Sequence, residues 1–144
     1  MAENDTTELL KECNSGIKMG IDSIDELLPD VKDEKLRHIL EECRTTHQRL
    51  GTESHKLLQR YGEETREPHP IAKGMSWLKT NVKMAAMPSD KTVADLITDG
   101  CNMGIKSLNG YINRYERADP EVVKLTKQLI RSEEKLCADV REYL

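Results

Sequence analysis

The stretch Cys13-Asn14-Ser15-Gly16-Ile17-Lys18 returns later in the chain as Cys101-Asn102-Met103-Gly104-Ile105-Lys106, identical at five of six positions. The match continues outward. Ile24 falls on Ile112 at the same offset, and after a two-residue gap Asp33 falls on Asp119 and Leu50 on Leu136. Each copy contains two long stretches of helical periodicity separated by a short turn, so the repeat constrains the chain to two similar helical hairpins.

The helices are legible from their apolar spacing and their end signals. The first carries Leu9, Leu10, Cys13, Ile17, Ile21, Ile24 and Leu28, with Asp5 and Glu8 spaced as a capping box and Pro29 as its stop. Asp33 is the expected cap of the second, in which Leu36, Leu40, Cys43, His47, Leu50, Ser54, Leu57 and Tyr61 form a buried seam ended by Gly62. A further long helix opens near Ser89 or Asp90 and turns Val93, Ile97, Cys101, Gly104, Leu108, Ile112 and Tyr115 inward. The last starts at Asp119-Pro120, with Val122, Leu125, Leu129, Glu133, Leu136, Val140 and Tyr143 as its seam.

Residues 62–88 join the two hairpins. Their first part is polar and contains Pro68 and Pro70, while Ile71, Met75, Leu78, Val82 and Ala86 predict a shorter helix beside Trp77, closed by Pro88. A connection of that length suits a crossover that returns the chain along the bundle to a parallel third helix; antiparallel neighbours would need only a short loop. The expected architecture is all-α: one domain over 1–144, with hairpin one at 5–61, crossover 62–88 and hairpin two at 89–144.

This pattern of paired hairpins and long crossover resembles the ferritin-like four-helix-bundle superfamily over nearly the full chain, most closely bacterial branches that lack the usual di-iron ligands. The resemblance implies a Glu on each of two helices and a Glu-x-x-His on each of the others. Here the residue three before His47 is Arg44, Glu133 has no His after it, and Gly16 and Gly104 stand near the level of the bridging carboxylates. Ferroxidase or oxygenase chemistry is therefore not expected.

A polar layer remains at mid-helix, made of Thr46, His47, Ser132 and Glu133. A buried carboxylate needs a partner, so a His47 to Glu133 contact across the bundle is expected, with Gly16 and Gly104 letting the first and third helices approach. The metal-ligand candidates are His47, Glu133, Cys13, Cys43 and Cys101, with iron, manganese or zinc as the ion, although no cofactor is the primary expectation. His38 and His55 lie off the seam.

Charge and cysteine usage narrow the function classes. Charged residues make up 33% of the chain and aromatics 3%, the net charge is −4 and the pI is near 5.6. That balance offers no clustered cation for nucleic acid, and no apolar run reaches the ~20 residues a membrane span needs. Four scattered cysteines without a C-x-x-C pair read as reduced thiols of a cytoplasmic protein. The function expected is a non-catalytic bundle serving protein interaction or structure, its candidate partners a second copy in a homodimer and an unidentified protein. The alternative is a divergent metal-binding, oxidoreductase or metal-storage protein.

Overall fold

A computed structural model describes residues 2–62 and 89–144, with side chains from residue 4 onward. Among the described residues there are four long helices and no strand: α1 (Ala2–Leu27), α2 (Glu34–Arg60), α3 (Asp90–Arg114) and α4 (Pro120–Asp139). Short 3-10 turns at Leu28–Asp30 and Arg141–Tyr143 follow α1 and α4. No described helix is long and apolar enough to cross a membrane. The helix expected over 71–87, with Trp77 and its methionines, lies outside the described residues.

Apolar side chains pack in two clusters, one toward each end of the bundle. The first joins Ile24 and Leu27 late in α1, Leu36 and Leu40 early in α2, Val93 and Ala94 early in α3, and Leu136 late in α4. The second joins Leu9 and Leu10 early in α1, Leu50, Leu57 and Leu58 late in α2, Leu108 late in α3, and Val122 and Leu125 early in α4. Because α2 and α3 both enter the first cluster with their opening turns, they run parallel, and α1 and α4 run against them. Residues matched by the repeat exchange ends, Leu36 for Val122 and Leu50 for Leu136, so the pseudo-twofold axis crosses the bundle.

Each hairpin's turn is fastened by the other hairpin. Asp90, in the first turn of α3, accepts the backbone amides of Lys32 and Asp33 at 2.8 and 3.0 Å. At the opposite end Asp5 accepts the Arg117 amide at 3.0 Å and Thr6 Oγ1 accepts that of Asp119 at 2.9 Å. Tyrosines repeat the reciprocity: Tyr143 donates to Asp33, and Tyr61 donates to Asp119. These contacts satisfy turn amides that the helices leave unpaired.

Two end signals act differently from expectation. Helix α1 begins at Ala2, so Asp5 lies inside it and bonds the distant turn instead of capping its own helix. Asp119 precedes Pro120 as expected but makes no side-chain cap bond, its carboxylate being taken by Tyr61. Asp33 and Ser89 do cap, accepting from the amides of Leu36 and Thr92, and Gly62 ends α2 with φ +71°.

The Tyr143 hydroxyl, and after it the Leu36 amide, hold the Asp33 carboxyl below the usual carboxylate range. A depressed folded-state pKa contributes stability above the unfolded value that is lost as pH falls through the folded one. Tyr143→Phe is therefore expected to lower the urea midpoint at neutral pH, and Asp33→Ala to lower it further because the cap is lost as well. Equal midpoints for the two variants would contradict the double role of Asp33.

Candidate functional site

Helices α1 and α3 carry small residues on the faces they turn toward each other. Ser15, Gly16, Gly20 and Ser23 of α1 and Gly100, Gly104 and Ser107 of α3 line a cavity of about 280 Å³. Residues four apart share a helix face, so Gly16 with Gly20 and Gly100 with Gly104 make two matching bare strips. The expectation that Gly16 and Gly104 bring the helices together is not met. A Cβ added at Gly16 or Gly100 would meet nothing within 4 Å, so their strips border open space.

The other two glycines make room for polar side chains from the opposite pair of helices. A Cβ at Gly20 would lie 3.0 Å from Nε2 of His47 on α2, and one at Gly104 would lie 2.6 Å from Oε2 of Glu133 on α4. Each hairpin thus seats the polar seam residue of its second helix against bare backbone of its first. Both residues line the cavity, with Cys43 and Cys101.

His47 and Glu133 do not pair, contrary to the expected contact. His47 is 2% exposed, and its Nδ1 lies 3.1 Å from the Cys43 carbonyl oxygen. A carbonyl only accepts, so Nδ1 carries the proton and Nε2 is left with a lone pair facing Gly20. Burial lowers the His47 pKa and favours the neutral ring, with the bond to the Cys43 carbonyl acting in the opposite direction. Glu133 Oε2 is buried with no hydrogen-bond partner. Desolvation pushes the Glu133 carboxyl up to about 8, so it is protonated at neutral pH.

The thiols are equally unactivated. Burial pushes Cys43 up to about 11, against a contact from Ser132 Oγ at 3.7 Å, and drives Cys101 higher still. Cys13 lies off the cavity lining, its Sγ 3.0 Å from Thr126 Oγ1 and its pKa pushed up to about 12 by burial. Of the five metal-ligand candidates the fold brings Cys43, His47, Cys101 and Glu133 to one cavity and leaves Cys13 aside. Among the described residues no group of three or more His, Cys, Asp or Glu side chains is placed to hold a metal ion. His38 and His55 are exposed as expected. Thr46, also assigned to the polar layer, bonds back to the Glu42 carbonyl on its own helix.

A larger depression of about 800 Å³ lies between α1 and α2, bordered by Asn14, Ile17 and Gly51. It opens broadly to solvent and borders no buried polar atom without a partner, so the α1/α3 cavity is the better candidate. Gly20 and Gly100 were missed as site residues in the sequence, where the signal was the Gly-x-x-x-Gly spacing on both repeated helices.

A carboxyl whose folded pKa exceeds its unfolded one keeps its proton in the folded state only, so stability falls as pH rises between the two values. Glu133→Gln removes that loss. Its stability advantage over the natural chain is expected to be small at about pH 4 and to grow to about 3 kcal/mol at about pH 7, measured by urea unfolding; a pH-independent difference would contradict a buried, raised carboxyl. Gly16→Ala is expected to stabilise by about 0.5–1 kcal/mol through helix propensity. Gly20→Ala is expected to cost ~1–3 kcal/mol by overpacking the His47 ring.

In fold the chain is similar to a DUF305 fragment from Deinococcus radiodurans, known from its crystal structure, with a TM-score of 0.77 and 11% sequence identity. The likeness covers 96% of this chain and 93% of that one, and at that identity it is a likeness of fold alone. No protein-family model and no curated protein matches the chain.

Proposed function

We propose that this chain is a non-catalytic binding protein of ferritin-like arrangement, which holds a small ligand in the cavity between α1 and α3. The observation that carries this is Glu133 Oε2, buried at the cavity without a hydrogen-bond partner. Burying such an atom unpaired costs ~1–3 kcal/mol, a cost that a ligand reaching it would relieve. Binding rather than catalysis is supported by the thiols of the site, whose pKa values burial raises, leaving no activated thiolate nucleophile. Four free thiols support the cytoplasmic setting expected from the sequence. One observation favours the metal-binding alternative, the meeting of Cys43, His47, Cys101 and Glu133 at a single cavity.

The test is n-hexanol as a neutral probe, followed by amide shifts in NMR. Shifts centred on Gly16, Gly104 and His47, and lost in the cavity-filling variants Gly16→Leu and Gly100→Leu, are expected. Scattered shifts indifferent to those substitutions would overturn the binding site. Elemental analysis of protein purified without chelator covers the alternative: one equivalent of iron, manganese or zinc, lost in His47→Ala, would replace the ligand reading with a metal one.

A further inference from the structure

The cavity's hydroxyls, from Ser15, Ser23, Ser107 and Tyr111, can donate or accept hydrogen bonds, and two further polar groups set its preference. His47 spends its ring proton on the Cys43 carbonyl and turns the Nε2 lone pair toward Gly20. Glu133 presents a buried oxygen without a hydrogen-bond partner. The charges lean the same way: the ionisable lining includes the carboxyls of Glu12 and Glu133, and among the described lining residues there is no Lys or Arg. The remainder is largely apolar, with Ile24, Leu27, Leu96 and Ile97 along one part.

We propose that the ligand is a small organic cation, a primary alkylammonium ion whose charged end is held by Glu133 and the Nε2 lone pair of His47 and whose hydrocarbon tail fills the apolar part. This rests on the binding function proposed above. An ammonium group brings three donors and no acceptor, which matches the Nε2 lone pair and an ionised Glu133 carboxylate and would mismatch an anion. It also brings the countercharge that an ionised Glu133 would need. On binding, Glu133 releases its proton to solvent and its carboxylate pairs with the ammonium in a charge-assisted bond. At about 280 Å³ the cavity has room for roughly nine water-sized groups, enough for a six-carbon amine.

The test compares n-hexylammonium, n-hexanol and hexanoate as probes of equal tail length, by NMR titration at neutral pH and at two salt concentrations. Hexylammonium is expected to bind about tenfold more tightly than hexanol, and hexanoate most weakly. In Glu133→Gln the preference for the ammonium should fall below about twofold while hexanol affinity is unchanged. Gly16→Leu and Gly100→Leu should abolish both. Hexanol binding as tightly as hexylammonium, with loss in the filled variants, would overturn the cation and leave the cavity as a binding site. An ammonium preference that survives in Glu133→Gln, or that vanishes with added salt, would overturn the role of Glu133. Failure of both hexanol and hexylammonium to bind would overturn the binding function itself.

Discussion

Asp90 accepts the amides of Lys32 and Asp33, and Thr6 accepts that of Asp119, so each hairpin's turn is tied to the opening helix of the other. That exchange sets the pseudo-twofold axis across the bundle and makes α1 and α3 antiparallel neighbours. It also brings the repeated Cys-Asn-x-Gly-Ile-Lys segments onto helices that face each other. The repeated glycines Gly16 and Gly104, each with a second glycine four residues away, therefore lie on facing helices, and the space between becomes a cavity instead of a close helix contact.

The cavity is energetically expensive on two counts. Bare strips on α1 and α3 give up the dispersion contacts that larger side chains would make, and helix-interior glycines each cost about 1 kcal/mol relative to alanine. A carboxyl without a hydrogen-bond partner adds a desolvation cost. A purely structural bundle would be improved by filling the cavity and replacing the unpartnered Glu133 carboxyl. Retaining both features is consistent with a site whose cost is offset when a ligand is bound, since binding stabilises the folded state by mass action.

Much of the fold was legible in the sequence because helix periodicity and end signals are local. The seam of α2 from Leu36 to Leu57 is buried as its spacing predicts, with Tyr61 only half-buried, and Asp33, Ser89 and Gly62 act at their expected boundaries. The parallel third helix followed from the length of the connection. The site was legible only as a set of residues. Spacing placed His47 and Glu133 in the core but said nothing of where their side chains point, and both turn toward glycines of their own hairpin instead of toward each other. Asp5 and Asp119 misled for a related reason: a short polar side chain near a helix start serves a cap or a distant turn equally well, and tertiary contacts decide which.

The state of one side chain decides whether the cavity is a site or a solvated groove. An NMR titration of the Glu133 side-chain carboxyl in the ligand-free protein measures it directly. A midpoint at about 8 is expected for a carboxyl buried against Gly104 without a partner. A midpoint near the ordinary value of 4.5 would mean that water or a cationic partner reaches it, and would contradict the unpaired buried acid on which the proposed binding function rests.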